Sequence, residues 1–170
     1  MNDAGGRDDW ADRHVARWKD HWLEVPFDSE TEAIFIRMAR IMRHLRERSQ
    51  HAITQSGLQD FEFATLHQLI VRDTPGHASP TELADDLGIS GAGMTGRLDA
   101  LEKTGWIKRT PQTDDRRRID VEVTREGIER WRKAMHLRGQ EDEATILALS
   151  SEERTALAGL LKKMALAIED

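Results

Sequence analysis

The chain has 170 residues, no cysteine, four prolines and a net charge of −6, and 33% of its residues are charged. The lack of cysteine excludes disulfides, thiol redox sensing and cysteine-ligated metals. No segment has the length and apolar character of a membrane span, and the N-terminus lacks the apolar part of a signal peptide. We therefore expect a helix-rich cytoplasmic protein made of one domain with added dimerisation helices.

The first third of the chain predicts three helices. An amphipathic helix from Asp8 to Glu24 carries three tryptophans, which we interpret as packing residues rather than as the wall of a ligand site. A capping box at residues 29–32 opens a long helix that runs to about Gln55, and Gly57 ends it. Asp60 caps a third helix that runs to about residue 72, and residues 73–76 form a turn.

The stretch from Ser79 to Gly105 predicts a helix-turn-helix. Ser79 is a capping serine that precedes a first-turn proline, and Glu82 completes a capping box. The first helix should end at Gly88, where left-handed backbone favours glycine, and Ser90 should cap a second helix that ends at Gly105. Apolar residues at helical spacing predict the contact between the two helices: Leu83, Leu87, Ile89, Met94, Leu98 and Leu101.

Two short strands are predicted after the second helix, at residues 106–109 and 119–123, where apolar and polar residues alternate. The polar loop between them has a charged tip, Asp114-Asp115-Arg116-Arg117-Arg118. Helix, helix, strand, basic loop and strand in this order indicate a winged helix-turn-helix. The alternative is a small α+β unit with solvated arginines, which the agreement of capping, periodicity and turn chemistry disfavours.

Positive charge is concentrated in this part of an acidic chain. Seven basic and four acidic residues lie between Ser90 and Arg118. A positive face on an acidic protein is typical of a DNA-binding protein that is steered by one surface. Arg97 is suited to reading a guanine through two hydrogen bonds, with a surface salt bridge as the alternative. Phosphate contact is the expected role of the remaining basic residues, Lys108, Arg109, Arg116 and Arg118.

The C-terminal part predicts two more helices, one capped by Thr124 and one opened by a capping box at residues 150–153. The last helix carries a broad apolar stripe that one monomer cannot cover, which favours a homodimer. The fold class is mainly α with a small β wing. We divide the chain into an N-terminal Trp-rich extension helix (1–27), a dimerisation helix (28–57), the winged helix-turn-helix (58–124) and C-terminal dimerisation helices (125–170).

Three motifs together resemble the MarR family of bacterial transcription regulators. The first is Ser79-Pro80-Thr81-Glu82-Leu83 with Gly88-Ile89-Ser90, and the second is Met94-Thr95-x-Arg97-Leu98-Asp99-x-Leu101-Glu102. The third is the wing Asp114-Asp115-Arg116-Arg117 followed by Thr124-x-x-Gly127. The resemblance extends from about residue 29 to residue 170, so the Trp-rich N-terminal helix lies outside the usual core.

This resemblance implies an obligate dimer that binds a pseudo-palindromic DNA operator, usually as a repressor, and that a small ligand releases. It places the second helix of the motif in the major groove and the wing along the minor groove. At or near the groove-facing positions it places Ser90, Gly91, Ala92, Thr95 and Arg97. Asp115 and Arg117 match a wing signature in which the aspartate steadies an arginine that enters the minor groove. Three glycines in the second helix predict weak direct reading of bases and a large contribution from DNA shape.

A Trp-bearing N-terminal helix is similar to that of the urate-responsive branch of the family. The resemblance matches the pocket arginines of that branch to Arg97 and Arg109, and its tryptophan to Trp10 or Trp18. Its pocket carboxylate falls at Ala64 here, and Glu62 lies on another face of that helix. The sequence therefore leaves two regulators open, one released by a small anionic or aromatic ligand and one independent of ligand.

Other functional classes receive less support from the sequence. A winged-helix module for protein–protein contact remains an alternative to the DNA-binding regulator. The sequence contains neither a Gly-rich phosphate loop nor a nucleophile–base pair, so it gives no indication of an enzyme. Histidines seven residues apart could share a helix face, as His14 with His21 and His44 with His51, yet without a compact ligand cluster we predict neither a metal site nor a cofactor.

Overall fold

The computed structural model describes residues 7–19, 28–111 and 119–169, and all structural statements below concern these residues. The helices are α1 (Trp10–Trp18), α2 (Ser29–Gln55), α3 (Asp60–Val71), α4 (Pro80–Asp86), α5 (Gly91–Lys103), α6 (Arg125–Ile146) and α7 (Ser151–Glu169). The strands are β1 (His77–Ala78), β2 (Ile107–Pro111) and β3 (Ile119–Val123). In the described ranges, no helix combines the length and apolar character that crossing a bilayer would need.

The capping residues of the helix-turn-helix are confirmed. Ser79 accepts a hydrogen bond from the Glu82 N–H while the Glu82 carboxylate accepts from the Ser79 N–H. Ser90 caps α5 by accepting from the Gly93 N–H at 3.2 Å. Gly88 and Gly105 adopt left-handed backbone, with φ of 61° and 76°, at the ends of α4 and α5. Local chemistry therefore fixes both boundaries of each helix.

Two predicted caps were wrong by one residue. Asp28, not Ser29, caps α2, since its carboxylate accepts from the N–H groups of Glu30 and Thr31. Asp60 is the first residue of α3 rather than its cap, and its carboxylate instead accepts from the Gln50 side chain at 2.6 Å. In the first case an acid preceded a serine that is itself a good cap, and sequence alone does not rank two adjacent capping residues.

The wing is larger than the sequence predicted. The predicted strands are present as β2 and β3, which pair antiparallel with Arg109 opposite Val121. A third strand, β1, pairs with the other edge of β3 and places His77 opposite Glu122, so the strand order is β1-β3-β2. β1 has only two residues, too few to show an alternating pattern, and its pairing depends on a partner more than forty residues away in the sequence.

The chain separates into two compact units, Met1–Glu47 and Arg48–Asp170, with the boundary inside α2. In the first unit, Arg37 on α2 forms hydrogen bonds to Asp9 and Asp12 at the start of α1, at 2.6–3.1 Å. Asp9 also caps α1, and the Arg37 hydrogen bonds hold the pKa of its carboxyl well below the usual range. The guanidinium of Arg40 lies 4.8 Å from the Trp10 ring centroid. These contacts fasten the N-terminal helix to the start of α2.

The core of the second unit lies between α3, α4, α5 and the sheet. Its fully or almost fully buried members are Leu66, Leu69, Leu83, Met94, Leu98, Leu101, Ile107 and Val121. The apolar residues predicted to join α4 to α5 are all in this cluster or packed against it. Burial of each large aliphatic side chain contributes about 1.5–3 kcal/mol relative to exposure. The helix-turn-helix and the wing therefore share one core.

The start of α6 is packed against the turn that precedes β2. Thr124 donates its backbone N–H to the Trp106 carbonyl at 3.0 Å, and its hydroxyl accepts from the Gly127 N–H at 3.1 Å as the helix cap. Gly127 is buried, and a Cβ at this position would collide with the Trp106 carbonyl oxygen and press on Val123. A glycine is required here because the helix backbone touches the loop backbone directly.

We expect Gly127→Ala to destabilise the protein by about 2 kcal/mol or more, because the added methyl group has no space. The measurement is urea unfolding followed by circular dichroism. Gly139→Ala on the same helix is the matched control. A Cβ there meets nothing, so that variant should be more stable than the wild type by about 0.5–1 kcal/mol. Equal stability of the two variants would contradict the contact at Trp106.

Candidate nucleic-acid interface

The rotation of α5 about its axis is fixed by its buried side. Met94, Leu98 and Leu101 face the core and are at most 1% exposed. At 100° per residue, Ala92 and Gly96 fall on the opposite side of the helix, and both are exposed. The face that α5 turns to solvent is therefore determined by the apolar seam behind it.

The first half of the exposed face of α5 consists of small residues. It includes Gly91, Ala92, Gly93, Thr95 and Gly96, while the second half carries the exposed side chains of Asp99 and Lys103. A Cβ added at Gly91 or Gly96 would meet no atom of the chain, and neither glycine has a positive φ. The fold itself thus gives no reason for these glycines, although an interior helical glycine costs about 1 kcal/mol relative to alanine. A bare helix surface does allow close approach of another backbone, such as that of a nucleic acid.

Two hydroxyl groups at the start of α5 are partly engaged in local hydrogen bonds. Ser90 Oγ accepts from the Gly93 N–H, which leaves its own proton free to be donated. Thr95 Oγ1 donates to the Gly91 carbonyl at 2.9 Å, which leaves its lone pairs free to accept. Ser90 is therefore suited to a phosphate oxygen, together with the positive end of the helix dipole. Thr95 is suited to an amino group on a base edge.

Arg97 lies at the flank of α5 rather than on its small-residue face. Its guanidinium carbon is 5.9 Å from the centroid of the Phe61 ring at the start of α3. A cation over an aromatic ring gains about 0.5–1 kcal/mol at a partly exposed position. The guanine contact of Arg97 stays a prediction from the sequence.

Arg109, on β2, is surrounded by acidic groups of α5. Its guanidinium donates to Glu102 at 2.6 and 2.9 Å and to Asp99 at 2.7 Å. Because of the hydrogen bond to Glu102, the pKa of Arg109 is raised above its usual value. Its neighbour Lys108 is exposed and belongs to the other face of the strand, since side chains alternate along β2. The two cations that the sequence treated alike thus have different surroundings.

The remaining candidate DNA contacts lie outside the described residues. Asp115, Arg116, Arg117 and Arg118 belong to the segment 112–118 between β2 and β3. β2 and β3 pair along their whole lengths, from Ile107 opposite Val123 to Pro111 opposite Ile119. The DNA-binding roles of these four residues stay predictions from the sequence.

The four candidate ligand residues belong to different units of the protein. In the first unit, His14 lies between Trp10 and Trp18, with ring centroids 6.4 and 6.2 Å away, and its Nε2 is 3.8 Å from Glu32. In the second unit, Arg97 and Arg109 have the separate partners given above. An anion at Arg109 would meet the carboxylates of Asp99 and Glu102, so it would have to displace them.

A cavity of about 350 Å³ lies elsewhere in the second unit, between α3, β1, β3 and α6. Its wall includes Ile70, Val123, Ile128, Trp131 and Arg132. The ligand residues predicted from the sequence are not among the described residues that line it. Within the described ranges, no group of three or more histidine and acidic side chains is arranged to hold a metal ion.

Sequence reasoning missed two features of this interface. Lys103 shares the exposed face with Ala92, and a helical wheel anchored on the buried seam would have found it. Glu102 and Asp99 serve as partners of Arg109. Their spacing of three residues on one helix face was the available signal, but the identity of the partner depends on how the strand returns to the helix.

Comparison with known proteins supports this interpretation of the interface. The model of the MarR family matches residues 62–119. The HTH-type transcriptional regulator PecS of Dickeya dadantii is 26% identical over 150 residues, covering 88% of this chain and 89% of that protein. The HTH-type transcriptional repressor YetL of Bacillus subtilis is also 26% identical over 150 residues, covering 88% and 87%. The crystal structure of the YusO protein from Bacillus subtilis shares the fold, with a TM-score of 0.73, 22% identity and coverage of 84% and 99%.

We expect Gly96→Ala to stabilise the free protein by about 0.5–1 kcal/mol and to weaken DNA binding, because the methyl group fills the bare face of α5. Urea unfolding and fluorescence anisotropy with labelled DNA measure the two effects. Gly159→Ala on α7 is the control, since a Cβ there also meets nothing. That control should gain similar stability and keep its DNA affinity. Unchanged DNA affinity in Gly96→Ala would exclude close approach of DNA at this position.

Proposed function

This chain belongs to the MarR family of transcriptional regulators, and on that premise we propose that it is a homodimeric repressor of a pseudo-palindromic operator. It is a DNA-binding regulator and not an enzyme. The repressor role is supported by the similarity of this chain, over 88% of its length, to YetL, which is a transcriptional repressor. Because its target is chromosomal DNA, the compartment we propose for it is the cytoplasm.

The observation that carries the proposal is the exposed face of α5. The major groove, about 12 Å wide, admits an α-helix, and a helix with small exposed side chains can bring its backbone close to the bases. α5 offers such a surface opposite its buried seam, with Ser90 at its N-terminus and Lys103 in its last turn. Few side chains on this face can read base edges, so we infer that DNA shape and deformability contribute much of the specificity.

The homodimer is supported by the apolar residues of α7. None of the residues from Ser151 to Glu169 is buried within the chain. Leu160 is 63% exposed and Ile168 86% exposed, and Leu161 and Met164 lie on the same side of the helix. Exposed aliphatic side chains in a continuous stripe are typical of an interface rather than of a solvated helix. In a twofold dimer each copy of this stripe would cover the other or a neighbouring apolar helix.

Control by a small molecule is a further part of the proposal. The neighbouring Trp10, His14 and Trp18 rings support an aromatic or anionic effector in the N-terminal unit. A ligand-independent regulator is the second candidate. Ala64, where the urate-responsive branch has a carboxylate, and the engagement of Arg109 by two acids both favour it. Titration of urate and phenolic acids into the protein–DNA complex separates the two, since only the first candidate predicts release.

The experiment that tests DNA binding is an anisotropy titration against genomic fragments, with sheared DNA as competitor and at several salt concentrations. The wild type should bind tightly, resist the competitor and lose affinity as salt rises. Arg117→Ala should lower the slope of log affinity against log salt by about one unit, because one ion contact is lost. Lys163→Ala, which removes a cation from α7, should leave the slope unchanged. A failure to enrich any fragment would favour the protein-interaction module.

The dimer is tested separately by sedimentation. Leu161→Glu places a charge within the apolar stripe of α7 and should convert the protein to monomers, since an unpaired charge is costly to bury. Thr155→Glu adds the same charge on the opposite side of that helix and should sediment as the wild type does. A wild-type protein that sediments as a monomer at micromolar concentration would refute the homodimer.

A further inference from the structure

We propose that Arg109 is a positioning residue that fastens β2 of the wing to α5, and that it does not contact DNA. This inference rests on the proposed function, because it concerns how α5 and the wing are held for binding. It replaces the phosphate contact that the sequence suggested for Arg109. Arg109 forms hydrogen bonds to Glu102 and Asp99, and we call this group of three residues the clasp.

The clasp joins the two elements through both backbone and side chain. Glu102 Oε1 accepts from the Arg109 backbone N–H at 3.0 Å. Glu102 Oε2 accepts from Nε and Nη2 of the same arginine at 2.9 and 2.6 Å, and Nη2 also donates to Asp99 Oδ1 at 2.7 Å. One carboxylate thus receives three N–H groups from one residue. Charge-assisted hydrogen bonds of this multiple kind fix orientation as well as distance.

The clasp links α5 to β2 beside the short connection between them. Only residues 104–106 separate α5 from β2, and Gly105 turns the chain in left-handed backbone. On the core side of this corner, Leu101 and Ile107 are buried. Arg109 lies on the same face of β2 as Ile107, so it meets Glu102 beside this buried pair. The burial of Ile107 and the clasp at Arg109 together determine the direction in which β2 leaves α5.

The charges of the clasp are engaged with one another. Hydrogen bonds from Arg109 lower the pKa of Glu102, so this carboxylate is ionised in the folded protein. The side chain of Arg109 is 27% exposed, against 38% for Glu102 and 59% for Asp99. A phosphate that approached Arg109 would meet two carboxylates within hydrogen-bond distance of the same guanidinium. An arginine that serves a phosphate is poorly placed beside two fixed anions.

Phosphate contact and positioning predict opposite results for Glu102→Gln. If Arg109 contacted phosphate, removing the acid beside it would free the cation and strengthen DNA binding. If Arg109 positions the wing, the same change weakens the clasp and reduces binding. Arg109→Lys gives a second contrast, since lysine keeps the charge but cannot form the planar, multiple hydrogen bonds of a guanidinium. A phosphate contact would tolerate this change, and the clasp would not.

The experiment measures binding of a genomic fragment selected by the wild type and of a shuffled duplex of equal composition. Glu102→Gln and Arg109→Lys should each lose about fivefold in affinity for the selected fragment. Their affinity for the shuffled duplex and their salt slopes should match the wild type. The double variant should lose no more than either single one, because both remove the same interaction. Unchanged circular dichroism and thermal midpoints would separate this effect from general unfolding.

Two further variants calibrate the result. Asp99→Asn removes the more exposed negative charge of the clasp and should cost less than Glu102→Gln. Lys108→Gln removes an exposed cation from the same strand and should lower the salt slope on both duplexes by about one unit. Tighter or unchanged binding by Glu102→Gln, or unchanged binding of the selected fragment by Arg109→Lys, would overturn the positioning role. Failure of the wild type to select any DNA would instead overturn the proposed function, so the two failures are distinct.

Discussion

The interface depends on one constraint, the burial of the apolar seam of α5. Met94, Leu98 and Leu101 are packed into a core that also holds Leu66 and Val121, so α5 cannot rotate without exposing them. Burial of this seam decides which residues face outward, and in the first half of α5 these are small. The capacity of α5 to approach DNA closely is thus a consequence of how its opposite side is packed.

The wing acquires its direction at a single junction. The Trp106 carbonyl accepts hydrogen bonds from both the backbone and the hydroxyl of Thr124, at 3.0 and 3.1 Å, so the beginnings of β2 and α6 are tied together. Gly127 permits that approach because it has no side chain. Beside the connection from α5 to β2, Glu102 of α5 accepts hydrogen bonds from the backbone and the side chain of Arg109 on β2. The recognition helix, the wing and α6 consequently behave as one framework.

A count of the basic residues along the sequence overstates the positive potential of the second unit. Arg72, the residue that follows α3, donates to Asp86 on α4 at 2.5 Å. Arg109 forms ion pairs with two acids, Asp99 and Glu102. Such pairs neutralise one another locally, so they do little to attract phosphate. An exposed lysine such as Lys108 or Lys103 contributes more to the outward field than a paired arginine does. The number of basic residues in a segment is therefore a poor guide to its binding surface.

The sequence alone determined the order of the helices, the capping serines of α4 and α5 and the left-handed glycines at residues 88 and 105, because these depend on chemistry within a few residues. It also determined the buried seam of α5 through helical spacing. Tertiary structure decided the partner of Arg109, the surroundings of Arg97 and the pairing of β1, since each joins residues that are distant along the chain or sit on separate elements. A residue type shows what an arginine can bind, but only the packing of α5 against β2 brought Glu102 within its reach.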